Sequence, residues 1–238
     1  MSPRLLLVLA SISPLPAFGQ AAGPIPGAPF SADLITIHEK TQSDGEITET
    51  RDLERIYRDS SGRLRQEPTS GVAARPGSKR PVVMINDPVA GIFYVLEVNR
   101  TIAHRLVIPK SPDGRTHSMI GYGIPYPGND GTYPTAKPDF KSESLGTQTM
   151  QGIEVVGRRT TTTWPGESQR AGKALVSVEE MWISDTLGMA LLIKRTDFRW
   201  GTDTQELENI QREEPDASLF VVPRDYQIVD FDPGIPPQ

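Results

Sequence analysis

The chain of 238 residues has a formal net charge of -5 at pH 7 and contains no cysteine. The acidic balance gives no reason to expect nucleic acid, which is attracted by clustered Lys and Arg. The lack of cysteine excludes disulfides, thiol nucleophiles, thiolate metal sites and a lipid-modified N-terminal cysteine. A hydrophobic fraction of 37%, spread along the chain, fits strands with one buried face better than a bundle that spans a membrane.

The N-terminus has the pattern of a cleaved export signal. Arg4 precedes an apolar run from Leu5 to Ile12, and small residues follow at the positions that a signal peptidase reads. We expect residues 1–19 to be the signal peptide, with cleavage after Gly19 or alternatively after Ala21. The run is too short to cross a hydrocarbon core of about 30 Å as a helix, so a spanning segment is not expected. The protein is predicted to be soluble in the periplasm or outside the cell.

Residues 20–29 are rich in Gly and Pro and predict a flexible leader. From residue 30 onward, strand-like segments alternate with turns in which Gly follows Asp or Ser, as in tight hairpin reversals. This pattern continues to residue 108 and predicts an antiparallel meander. The segment 91–98 is apolar on both faces, which predicts a covered strand in the middle of the sheet.

Residues 109–138 contain many Pro and Gly residues and predict a long loop or linker within the domain. Such a segment is typically either functional or disordered. We leave open whether it is a loose surface excursion, a loop that gates a ligand, or a cover whose tyrosines, including Tyr122 and Tyr126, pack on the sheet.

The strand pattern resumes at residue 141. Trp182 lies on one strand, and Leu191 and Ile193 share a face of the next, so these residues are expected in the apolar interior. Near the end, Pro215 and Asp216 are expected to turn the chain so that Leu219 and Phe220 plug the open edge of the sheet. A last strand over residues 225–230 and a fraying tail over residues 231–238 complete the prediction.

The fold class expected is mainly β: one strongly curved antiparallel sheet of about ten strands, a half-barrel with little helix. Residues 30–230 are expected to form a single domain, since all-β domains of this length are common. No segment shows helical periodicity over several turns.

No catalytic or metal site can be assembled from the residue types. The three histidines, His38, His104 and His117, lack zinc-ligand spacing and are expected on solvated surfaces. Residues 166–170 lack the final Gly of a nucleophile elbow, and residues 121–128 lack the third Gly of a dinucleotide fingerprint. We therefore predict no enzyme activity, no metal and no cofactor.

Residues 174–230 resemble the superfamily of periplasmic lipoprotein carriers and their relatives, including sigma-factor regulatory proteins that sense lipoproteins and other exported bacterial proteins. The resemblance rests on an aromatic-bearing strand, an apolar strand after a hairpin, and a closing D-x-x-x-F-x-x-P-x-x-Y-like segment. The matching positions are Trp182, Leu191 to Ile193, Asp216, Phe220, Pro223 and Tyr226. The resemblance implies a half-barrel whose concave face holds an apolar ligand such as an acyl chain. Those carriers close the cavity with helices; here the Pro/Gly-rich segment would take that place.

Two functions follow as hypotheses. The first is an exported binding protein that holds a lipid or another apolar molecule, with Trp182, Leu191, Ile193, Tyr122 and Tyr126 as ligand-binding residues. The alternative is an envelope structural or protein-interaction module with a closed core, no small-molecule ligand and an envelope protein as partner.

Overall fold

The computed structural model describes residues 27–42, 44–70, 82–108, 137–166, 174–198 and 201–230. The predicted signal peptide, most of the leader, the tail and nearly all of the predicted loop, with Tyr122 and Tyr126, lie outside these ranges. Within them, the chain is a β protein with two short 3-10 helices.

Twelve strands form one sheet in the described residues. The first six are β1 (Phe30–Thr41), β2 (Ile47–Arg58), β3 (Leu64–Ser70), β4 (Val82–Asp87), β5 (Ile92–Glu97) and β6 (Ile102–Val107). The second six are β7 (Asp139–Met150), β8 (Ile153–Trp164), β9 (Leu175–Ser184), β10 (Met189–Asp197), β11 (Gly201–Gln211) and β12 (Gln227–Asp230). The short helices are Val98–Arg100 and Ala217–Phe220. The predicted single antiparallel sheet is confirmed, with twelve strands instead of about ten.

The strand order is β12-β6-β5-β4-β3-β2-β1-β11-β10-β9-β8-β7. Each half of the chain is a meander, and β1 and β11 join the two halves side by side. One pair departs from the antiparallel pattern, because β12 pairs with β6 in parallel. After β11, in the middle of the sheet, the chain crosses to the edge formed by β6. Because of this crossing, β12 enters the sheet in the same direction as β6.

The turn between β2 and β3 illustrates how local sequence sets the reversals. Gly62 has a φ of 83°, a left-handed conformation that glycine adopts without steric cost. The Asp59 carboxylate accepts hydrogen bonds from the backbone N–H groups of Ser61 and Arg63 at 3.0 and 2.8 Å. The Asp-Ser-Ser-Gly sequence therefore satisfies its own backbone donors as it turns.

The sheet curves around one face, which we call the inner face. Its apolar cluster includes Phe30 and Ile56 from the central strands, Phe93 from β5 and Val155 from β8, so distant strands contribute to one core. In addition, the Gln151 side chain, in the β7–β8 turn, donates a 2.5 Å hydrogen bond to the carbonyl of Leu207 in β11, although β7 and β8 do not pair with β11. The inner face is therefore concave.

The opposite, outer face is covered over β4 to β6 by the C-terminal segment. Ile85 and Leu96 form a second apolar cluster there, against which Val222 and Tyr226 pack. Phe220 is 4% exposed, and the carbonyl of Leu219 accepts a 2.8 Å hydrogen bond from Arg65. The segment predicted to plug an edge instead crosses this face, with Phe220 buried and Leu219 half-buried.

Strand β5 is covered on both faces, as its apolar pattern predicts. Phe93 belongs to the inner cluster and Leu96 to the outer one. Its position in the middle of the sheet was predicted wrongly, since β5 is third from the β12 edge. The C-terminal segment that crosses the outer face covers β5 on that side. The strand is therefore covered on both faces without lying in the middle of the sheet.

Candidate ligand-binding face

The structure places Trp182, Leu191 and Ile193 in or against the interior. Leu191 is 2% exposed within the inner cluster, Ile193 is 3% exposed, and Trp182 is a half-buried residue that packs against the cluster. The indole of Trp182 also lies over Gly157 of the neighbouring strand, since a Cβ at Gly157 would be 2.5 Å from its Cζ3. Trp182 and Leu191 thus meet in one apolar cluster; that these residues bind a ligand stays a prediction.

The inner cluster continues into side chains that remain partly accessible. Met84, Val95 and Leu106 are half-buried and pack against it. Met84 lies directly opposite Val95, and Leu106 directly opposite Phe93, so all of them share the inner face. We call Met84, Val95 and Leu106 the accessible strip. The sequence prediction missed these residues, although their alternation with residues of the outer cluster could have identified them.

Farther along the three central strands β2, β1 and β11, polar residues replace the apolar residues of the inner face. Thr36 lies opposite Asp52 of β2 and Gln205 of β11, two residues beyond Leu34, so this row is also on the inner face. Thr36 is only 8% exposed. Among the described residues, the Oε1 atom of Gln205 is buried and accepts no hydrogen bond.

The next row contains His38. Its Nδ1 contacts the Asp203 carboxylate closely, and its Nε2 lies 4.0 Å from Asp52. The two carboxylates therefore meet opposite nitrogens of one imidazole and do not converge on a common point. Within the described ranges, no group of three His, Cys, Asp or Glu residues is placed to hold a metal ion.

Glu54 lies beside this polar row, two residues from Asp52 on the same strand face. Burial raises the pKa of the Glu54 carboxyl, and the nearby charge of Asp52 raises it further, whereas a hydrogen bond from Gln66 opposes the shift. The inner face thus places a carboxyl group with a weakened preference for the charged state next to the apolar interior.

The histidines are less solvated than the sequence suggested. The His38 side chain is 38% exposed and that of His104 is 25% exposed, and each contacts a carboxylate. His104 Nε2 is 2.7 Å from Glu97, which also pairs with Arg100. In both cases an imidazole and a carboxylate lie within ion-pair distance of each other on the surface of the sheet. His117 lies outside the described residues.

The chain resembles several solved structures at low identity. A crystal structure of MucB is 10% identical over 88% of this chain, with a TM-score of 0.42, and this chain spans 62% of its length. A LolA-superfamily protein from Nitrosomonas europaea is 9% identical over 84% of this chain and 92% of its own, with a TM-score of 0.35. The lipoprotein LppX from Mycobacterium tuberculosis is 13% identical over 80% of this chain and 90% of its own, with a TM-score of 0.32.

No family model matches the chain. No curated protein matches it either. In the ranges described, no helix is long and apolar enough to cross a membrane.

Proposed function

We propose that the protein is an exported, non-enzymatic binding protein that holds a lipid or another apolar ligand on the inner face of its curved sheet. The observation that carries the proposal is the accessible strip, because Met84, Val95 and Leu106 extend the buried cluster to a surface that a ligand can reach. Apolar side chains lining a concave surface are typical of small-molecule sites.

The composition of the accessible strip suits an apolar ligand of variable shape. Methionine is unbranched and polarizable, so Met84 can adapt to different contacts. Trp182, Leu191 and Ile193 would contact the ligand only where it enters the cluster, since Leu191 and Ile193 are almost fully buried. We propose that the segment 109–138, through Tyr122 and Tyr126, covers the ligand.

Export is proposed from the N-terminal pattern of residues 1–19. The absence of enzyme activity is proposed because no nucleophile with an adjacent base can be named among the residues that the structure describes. The ring nitrogens of His38 face the carboxylates of Asp203 and Asp52, whereas a general base that activates a nucleophile faces a hydroxyl or a thiol.

The proposal is tested by titrating the purified protein with N-phenyl-1-naphthylamine, a neutral apolar dye that fluoresces when it leaves water. Leu106→Gln should weaken dye binding by about tenfold, which corresponds to about 1.4 kcal/mol, because it places an amide in the accessible strip. Val107→Gln is the matched control, because Val107 is the next residue, faces the other way and is 66% exposed. Equal effects of the two changes, or no dye uptake, would contradict the proposal.

A closed core is the observation that favours the alternative function. Phe30, Ile56 and Leu187 in the inner cluster are 0% exposed, so much of the concave face is already packed. A protein whose interior is filled in this way would serve as an envelope structural or protein-interaction module. In that case the dye would not bind, and an envelope protein would be the partner to find.

A further inference from the structure

Strand β7 forms one edge of the twelve-stranded sheet, and no described strand pairs with its outer side. An exposed edge strand offers backbone N–H and C=O groups that another strand can bind. We propose that this edge is a dimer interface, at which β7 of one copy pairs antiparallel with β7 of a second copy about a two-fold axis at Ser142. The inference concerns backbone pairing at an edge and does not rest on the proposed function.

The hairpin between β7 and β8 determines which backbone groups of β7 point outward. Both residues of its two-residue turn have positive φ, which makes Met150 and Ile153 the first hydrogen-bonded pair. Because such pairs involve every second residue of a strand, they recur along β8 and include Arg159, which lies opposite Glu143. Ser142, next to Glu143, therefore points its N–H and C=O groups to the open side of β7, as do residues 140 and 144.

The regular part of β7 determines the register. The strand begins at Asp139, and its pairing with β8 shifts between Ser144 and Gly146. A bulge of this kind interrupts a ladder and bends the strand, so a second strand can pair evenly only over residues 139–145. Ser142 is the middle of this stretch. A two-fold axis there places Ser142 opposite its own copy and Phe140 opposite Ser144, and each such pair exchanges both of its N–H···O bonds.

The charges of this stretch complement each other in the proposed register. Lys141 and Glu143 flank Ser142, so Lys141 of one copy lies opposite Glu143 of the second copy. Within one copy, Arg159 lies between Glu180 and Glu143, at 2.7 and 3.0 Å, in a row of alternating charges across β9, β8 and β7. Lys141 of the second copy extends that row by one further alternating charge. A register centred on Lys141 or on Glu143 would instead place like charges opposite each other, which is destabilising.

The ion pair between copies selects the register more than it strengthens the dimer. Lys141 is 76% exposed and already contacts Glu143 of its own copy at 3.3 Å, so pairing exchanges one exposed ion pair for an equivalent one. The backbone hydrogen bonds and apolar contact supply the affinity.

That apolar contact comes from Phe140, on the opposite face of the strand from Lys141. Its side chain is 70% exposed in the single copy. In the proposed register Phe140 lies opposite Ser144 and diagonally beside Ser142 of the second copy, both within reach of an aromatic side chain. Dimer formation therefore covers apolar surface that a single copy leaves in water.

The first experiment is sedimentation velocity of the purified protein from low to high micromolar concentrations, which should show a reversible monomer–dimer equilibrium. Ser142→Pro should weaken association by at least about tenfold, because both copies lose the outward N–H donor at the axis while the pairing with β8 is kept. Thr149→Pro is the matched control. Thr149 is exposed on the same strand, points its N–H group to the same side and lies beyond the bulge, so this variant should dimerise as the unaltered protein does.

Charge variants test the register even if a proline disturbs the strand. Lys141→Glu and Glu143→Lys should each dimerise several-fold more weakly, because each places like charges opposite each other. An equimolar mixture of the two variants should restore association as a mixed dimer, since one copy then presents two acidic residues and the other two basic ones.

Cysteine cross-linking locates the axis, since the chain has no cysteine of its own. Ser142→Cys should form a disulfide-linked dimer when oxidised with diamide, because only a residue at the axis lies opposite itself, whereas Thr149→Cys should not. A monomer at every concentration would overturn the inference. So would a dimer that Ser142→Pro leaves unchanged, a mixture of charge variants that associates no better than either alone, or equal cross-linking of the two cysteine variants. None of these outcomes bears on dye binding, which tests the proposed function separately.

Discussion

Phe220 is the side chain by which the crossing C-terminal segment is expected to be anchored. It is 4% exposed, and the guanidinium of Arg63 lies 5.0 Å from the centre of its ring. Truncation to alanine removes roughly 150 Å² of buried apolar surface, which at about 25 cal/mol per Å² amounts to about 4 kcal/mol. Loss of the cation–π contact adds about 0.5 to 1 kcal/mol, and partial collapse of the segment offsets part of the total. We expect Phe220→Ala to cost about 3 to 5 kcal/mol.

The assay is urea unfolding followed by far-ultraviolet circular dichroism, with the free energy taken from the midpoint and slope. Val221→Ala is the control, because Val221 is the next residue and 55% exposed, and it should change stability by less than about 0.5 kcal/mol. A loss below about 1 kcal/mol for Phe220→Ala would refute the view that this segment holds the outer face together.

Three further changes test the local packing and electrostatics. Gly157→Ala should cost about 1 to 3 kcal/mol in thermal unfolding, because the new Cβ would lie 2.5 Å from Cζ3 of Trp182; an unchanged midpoint would contradict that contact. Gly201→Ala should lower the free energy of unfolding by at least about 2 kcal/mol, since Gly201 has a φ of 100° and a Cβ added there would lie 2.1 Å from the Glu39 carbonyl oxygen. A variant that refolds with unchanged stability would disprove this prediction. The raised pKa of Glu54 means that the folded state binds a proton more readily than the unfolded state, so this group lowers stability as pH rises above its unfolded pKa. Glu54→Gln should therefore be stabilising at neutral pH, with a gain that shrinks toward acid pH; a constant difference across the pH series would exclude this explanation.

The sequence predicted the strands well because each has its own turn chemistry and its own alternation. The strand pattern is predicted to begin at residue 30, which is the first residue of β1, and the last strand, predicted from residue 225, begins two residues later. These features depend on neighbours along the chain, which a single sequence contains.

What could not be predicted depends on contacts between distant segments. The parallel pairing of β12 with β6 requires the crossing of the C-terminal segment, which is fixed by partners such as Arg65 and not by the strand pattern itself. The same holds for the row of polar residues on the inner face. Thr36, Asp52 and Gln205 are separated by up to 169 positions in the sequence and become neighbours only through the register of β1 with β2 and β11.

The aromatic residues show a related limit. The apolar face of its strand predicts Trp182 as a ligand contact, and the structure places its ring over Gly157. A glycine facing an aromatic residue on the neighbouring strand is a packing arrangement that the register reveals and the residue types alone do not. The accessible strip, by contrast, contains smaller apolar residues, and their residue types alone do not distinguish them from ordinary core residues.

The most direct test of the proposed function is mass spectrometry of the organic extract from protein purified natively and without detergent. We predict an apolar or amphiphilic molecule present in stoichiometric amount, absent from the extract of the Leu106→Gln variant or reduced in it. A blank extract from the unaltered protein, together with no uptake of the apolar dye, would contradict the binding account and favour a closed core that acts through protein partners.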